Sequence, residues 1–148
     1  MCPDQSSPSA DSAPGVLREL AADDLEDLIF LLDRDPDAYS VVAERVVAAG
    51  LDPMGSGGPT WGWYVDGELR CAVFVGPNVL LVETSPAARS AFASRLSRMG
   101  RRSSAIVGYR EEVVDLWNHL VADWGPCREL RDDQPLMVCA QDPAVESL

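Results

Sequence analysis

The chain contains no lysine; all twelve of its basic residues are arginine. That absence excludes lysine Schiff-base chemistry and the lysine of a nucleotide-binding P-loop. Glycine is missing where an α/β protein most often uses it. The run from Val82 to Phe92, VETSPAARSAF, passes from a strand-like segment into a helix-like one without a single glycine. Phosphate sites at such junctions need backbone amides that approach closely and turn through positive φ. Pro86 removes one amide outright. None of the four cysteines, Cys2, Cys71, Cys127 and Cys139, pairs in a CxxC motif, so neither a zinc site nor a disulfide framework is signalled. His119 is the sole histidine, and no GxSxG elbow or Cys–His signature accompanies it. No apolar run approaches the roughly 20 residues that span a bilayer, and the opening MCPDQSSPSADSAPG lacks the basic and apolar regions of a signal peptide. These features predict a cytoplasmic protein without a membrane partner.

What remains is ordinary in amount and uneven in arrangement. Hydrophobic residues make up 47% of 148 residues, enough for the core of one domain. The net charge of −12 argues against nucleic-acid binding, which depends on neutralising phosphates. Yet residues 84–110 carry six arginines and no acid, against six arginines and 24 acids in the rest of the chain.

Residues 1–14 read as a disordered tail, 15–141 as the folded domain, and 142–148 as a second tail or the start of a linker. Val16–Leu20 is a plausible first strand. Asp23 with Glu26 three residues later signals a capping box, before a helix with Leu25, Leu28, Ile29 and Leu32 inward. Asp35-Pro36 predicts a new helix start, with Tyr39, Val42, Ala43, Val46 and Val47 as its apolar stripe and Gly50 as its stop. Residues 51–60, with three glycines and two prolines, read as a loop. Trp61–Val65, Asp66-Gly67 and Leu69–Val75 form a hairpin, and Val79–Thr84 a third strand. Ser85 caps and Pro86 opens a helix that turns Ala88, Phe92, Leu96 and Met99 to the core. A short strand at Ser104–Val107 precedes a helix, Glu111–Trp124, with Val113, Val114, Trp117, Leu120, Val121 and Trp124 inward. One or two last strands are expected near 128–131 and 136–140.

The order β-α-α-β-β-β-α-β-α-β(β) is an α+β pattern with a mixed sheet, and it is similar to the strand–helix order of the GNAT acetyltransferase fold. The strings LLDRDPDAY (31–39), AAGLDP (48–53), WGWYVDGEL (61–69), RRSSAIVG (101–108), LWNHLVADWGP (116–126) and QPLM (134–137) resemble an uncharacterised N-terminal domain of bacterial two-domain GNAT N-acetyltransferases. The resemblance covers about residues 16–145 and implies a GNAT-like fold. It also implies that the catalytic, acetyl-CoA-binding half lies beyond Leu148 or is separately encoded. The family's pyrophosphate signature, (Arg/Gln)-x-x-Gly-x-(Gly/Ala), belongs where this chain reads VETSPAARSAF: Arg89 is present and the glycines are not. No cofactor-binding, catalytic or metal-ligating residue is therefore assigned, and no cofactor is expected for this chain itself.

The expected role is a non-catalytic domain that scaffolds, or supplies substrate contacts to, an associated GNAT domain; a homo-oligomer is also compatible. Two alternatives stay open, a standalone acetyl-CoA-dependent N-acetyltransferase with an altered loop and a small-molecule or regulatory binding module. The resemblance would put a general base at Glu83, at the end of a strand, but the residue reads more simply as structural. His119, flanked by Asp115 and Asp123, reads as an exposed histidine between carboxylates. The candidates carried forward are Arg89, Arg95, Arg98, Arg101 and Arg102, as a docking surface for an acidic partner or an anion. Trp61 and Trp63 are carried as cleft-lining residues that alternatively pack on a helix.

Overall fold

A computed structural model describes residues 14–131, 134, 136 and 137. Five strands form one sheet in sequential order: β1 (Gly15–Glu19), β2 (Thr60–Val65), β3 (Glu68–Val75), β4 (Asn78–Val82) and β5 (Ala105–Val107). The first four are antiparallel neighbours, and β5 joins β4 in parallel. The helices are α1 (Leu25–Leu32), α2 (Ser40–Ala49), the single turn α3 (Pro53–Ser56), α4 (Pro86–Met99) and α5 (Arg110–Trp124). The fold is α+β with a mixed sheet.

Helices cover both sheet faces, so β2 is buried at all six positions. On one face Trp61, Trp63, Val73, Val79 and Leu81 pack against Phe92 and Leu96 of α4 and Leu116 and Leu120 of α5. On the other, Tyr64, Phe74, Leu80 and Val82 pack against Leu28, Leu31 and Leu32 of α1 and Val42 and Val46 of α2. The pairing of β2 with β3 shifts by one between Trp63 and Tyr64, leaving Arg70 as the extra residue. Through this bulge Leu69 and Cys71, two apart, reach opposite cores. Two glycines make this packing feasible. A Cβ on Gly15 would lie 2.2 Å from the Trp63 indole, and one on Gly62 would lie 2.6 Å from Leu20 and 2.7 Å from Leu69. The hairpin turn is Asp66-Gly67, with φ of 52° and 78°, the left-handed pair such a two-residue turn demands.

Several local expectations need correction. The first cap is made by Asp24, whose Oδ2 accepts from the Ala21 amide at 2.8 Å, and a 3-10 turn at Ala22–Asp24 precedes α1. Asp35 stabilises a turn, accepting from the Ala38 amide at 3.2 Å, and α2 starts only at Ser40. Ile29, Val47 and Val121 face outward, while Leu31 and Leu116 take core positions. Asp52 and Pro53 open the short α3 inside the expected loop, with the Asp52 side chain accepting from the Met54 amide. Residues 128–131 form no strand; the one expected at 136–140 and the readings of 1–13 and 142–148 fall largely or wholly outside the described residues. No described helix is long and apolar enough to cross a membrane.

Asp24 ties β1 to β2 and to the start of α1. Arg18 of β1 donates to both of its oxygens at 2.8 Å while stacking over the Tyr64 ring at 4.1 Å. The Tyr64 hydroxyl donates to Asp24 at 3.1 Å. The Arg18 guanidinium holds the Asp24 carboxyl well below the usual carboxylate range, helped by the Ala21 amide and Tyr64 and opposed by burial. A depressed carboxylate pKa adds stability that is complete above its unfolded value, 3.8, and is lost as pH falls below it. Asp24→Asn is therefore expected to lower unfolding free energy near neutrality by about 1.5–3 kcal/mol, the worth of a charge-assisted hydrogen bond. The gap between variant and parent narrows as pH drops below 3.8, as urea titrations across pH would show.

Candidate functional site

The end of β4, the start of α4 and the start of α5 meet at an open cleft of about 810 Å³. Tyr39, from the turn before α2, closes one side, and Tyr109, the cap of α5, with Arg110, its first residue, closes another. Glu83 leaves β4 at a φ of 54°, rare for a residue with a side chain. Tyr39 holds it there. The Tyr39 hydroxyl accepts from the Glu83 amide at 3.2 Å and donates to the Glu83 carboxylate at 3.0 Å. Burial pushes the Tyr39 phenol well above its ordinary value, so it stays a proton donor.

The next residues are satisfied from inside the chain. Thr84 donates its amide to Glu112 of α5 at 2.6 Å and its hydroxyl to the same oxygen. The Ser85 amide points to Cys71 Sγ at 3.3 Å, and Ser85 Oγ accepts from the Ala88 amide at 3.2 Å. Cys71 is buried, and burial pushes its thiol pKa up, which fits a packed rather than a reactive cysteine. Arg89 lies beneath this junction, 8% exposed. Its Nη1 donates to the Thr84 carbonyl at 2.6 Å and its Nε to Asp115 of α5 at 2.6 Å. The Tyr109 hydroxyl donates to Asp35, a bond that raises the phenol's pKa. The cleft thus presents the carboxylates of Glu83, Glu111 and Glu112, two phenols and Arg110, around a junction whose Glu83, Thr84, Ser85 and Ala88 amides are already engaged.

The structure separates the arginines read together from the sequence. Arg89 is mostly buried, held by Thr84 and Asp115, and borders the cleft apart from the other four. Arg98, Arg101 and Arg102 are exposed near the far end of α4, and Arg95 is half-buried, its guanidinium 4.9 Å over the Trp61 ring. Trp61 and Trp63, at 3% and 9% exposure, are core residues packed toward α4 and α5 and do not line this cleft. Their aromatic bulk fills the space between sheet and helices, which rules out the cleft-lining reading. His119 is exposed, 3.8 Å from Asp115. Among the described residues no group of three His, Cys, Asp or Glu side chains is placed to hold a metal ion. Tyr39, Thr84, Tyr109 and Glu112 were not signalled as site residues. Only the acidic pair Glu111-Glu112 at a helix start hinted at them, and that pattern is equally an ordinary helix terminus.

Residues 58–147 match the model of DUF4081, a domain of unknown function, and the chain belongs to that family. The match takes in Glu83–Pro86, Arg89 and Tyr109–Glu112 but not Asp35 or Tyr39. No curated protein matches the chain. No solved structure matches it either.

Arg89→Ala strips a partner from Asp115 and from the Thr84 carbonyl. It is expected to cost about 3 kcal/mol, the low end for breaking a buried pair, because Asp115 is partly exposed. Arg89→Met, which keeps the packing, is expected to recover part of that loss. Guanidinium denaturation of the three proteins measures both.

Proposed function

We propose that the chain is a GNAT-like domain without acetyl-transfer chemistry of its own. It scaffolds, or supplies substrate contacts to, an associated GNAT N-acetyltransferase domain, either C-terminal or separately encoded. The mixed sheet, with one parallel pair where a strand feeds α4, supports the fold part of this reading. The observation that carries the functional part is the β4–α4 junction. A pyrophosphate there needs free amides at the helix's positive end. In this chain the Glu83, Thr84, Ser85 and Ala88 amides go to Tyr39, Glu112, Cys71 and Ser85, and Pro86 has none, which leaves only the single amide of Ala87. The Glu112 carboxylate also adds a negative charge beside the position a phosphate would take. The residues present do not fit acetyl-CoA.

A small-molecule binding module is the second reading, favoured by the cleft beside Glu83, whose size falls within the range typical of ligand sites. Titrating acetyl-CoA into the purified chain by calorimetry separates these readings from a standalone acetyltransferase. No saturable heat is expected; micromolar binding would overturn the proposal. The scaffolding role predicts that a GNAT domain encoded in frame or beside this chain gains solubility or acetyl-transfer rate when the two are co-expressed, and unchanged behaviour would count against it.

A further inference from the structure

We propose that the groove between α4 and α5, together with the arginines at the C-terminal end of α4, docks an acidic polypeptide segment of a partner protein. The inference goes beyond the acetyltransferase-associated reading and does not depend on it. Its first support is the state of the arginines. Arg18, Arg70, Arg89 and Arg131 each lie within 3.0 Å of a carboxylate of the chain. Arg98 and Arg102 make no ion pair or hydrogen bond with any described residue. Arg101 has only a 3.5 Å contact to the Trp124 carbonyl. Arg95 Nη1 is buried without an acceptor. Arg34 and Arg128 are likewise without an ion pair to a described residue, but only the stretch 84–110 gathers six arginines with no acid among them. Arg95 and Arg98 lie three apart near the end of α4, and Arg101 and Arg102 follow directly after its Gly100 stop.

The second support is shape. An open groove of about 460 Å³ runs between the two helices and ends at Arg98. Its α4 wall is made of Ser90, Ser94 and Ser97, small side chains that let another backbone approach; His119 and Asp123 form the α5 wall. An incoming chain would lie along the serines and present carboxylates to Arg98, Arg101 and Arg102. Guanidinium suits this task because its fixed fork pairs with a carboxylate through two hydrogen bonds. A nucleic acid, whose charge would run the length of the groove past Asp123, fits less well than a peptide whose carboxylates can be confined to the end at Arg98.

The test uses the full chain, a labelled glutamate-rich peptide, its glutamine-substituted twin and a short single-stranded DNA, read by fluorescence anisotropy at low salt. Saturable binding of the glutamate peptide and not of its twin is expected. Arg98→Ser/Arg101→Ser/Arg102→Ser should weaken it about tenfold, the combined effect of three rim ion pairs. Ser94→Trp, which fills the groove from an exposed position, should weaken it as well. Arg70→Ser, on the β2–β3 hairpin, should leave it unchanged. The proposal is overturned if the peptide does not bind, if the triple variant binds as the parent does, or if DNA binds more tightly. It is also overturned if sedimentation shows a dimer that the triple variant abolishes, since the groove's occupant would then be a second copy of the chain.

Discussion

The junction of β4, α4 and α5 depends on one arginine. Arg89 reaches back to the carbonyl of Thr84, the residue just before its helix's cap, and sideways to Asp115 on α5. Glu112, one turn earlier on α5, takes the Thr84 amide and hydroxyl. A positive and a negative side chain therefore clamp the two sides of the same residue, and α5 is stitched to the sheet at the point where the chain leaves it. The clamp orders the floor of the cleft and determines what that floor has left to offer. Amides and carbonyls engaged internally are unavailable to a ligand, however well the surrounding architecture suits one. What lines the cleft besides this junction is the carboxylate of Glu111 and the paired side chains of Tyr39 with Glu83 and Tyr109 with Asp35.

Local patterns were legible in the sequence wherever one residue determines one backbone geometry. The Asp66-Gly67 turn, the Ser85-Pro86 start of α4 and the consecutive antiparallel strands stand as expected. Faces of short, wholly apolar segments were harder to read. In LEDLIFLL five successive apolar residues fit more than one stripe, and only the position of the sheet decides that Leu31 is buried and Phe30 exposed. Val47 and Val121 failed similarly, because their spacing suited the stripe while the helix orientation did not. Asp35-Pro36 reads locally as a cap, but the chain turns once more before Ser40, and Tyr39 is turned toward Glu83 instead.

The candidate site was least legible because its contacts join residues far apart in the chain. Tyr39 and Glu83, or Thr84 and Glu112, have no local signature, and a charged residue bound for the interior looks like any other on a helix. Arg89 lies nine residues before Arg98, half a turn around α4 and on the side of Phe92 and Leu96, where the carboxylate of Asp115, 26 positions later, satisfies its charge. The tryptophans show the reverse. Trp61 and Trp63 alternate as a strand should, but the helices on both faces turned a presumed cleft wall into core.

The fit of the Trp63 indole against Gly15 has a consequence for solubility. β2 reads TWGWYV, six residues without a charge and rich in aromatics, the composition that pairs indiscriminately when its backbone is exposed at a sheet edge. β1 occupies that edge and carries the outer flank instead, with Arg18 and Glu19 exposed along it. The small Gly15 lets this strand lie flat beneath the indole, and the Arg18–Asp24–Tyr64 contacts keep it there. β1 thereby acts as a gatekeeper, separating an uncharged aromatic strand from its neighbours in solution.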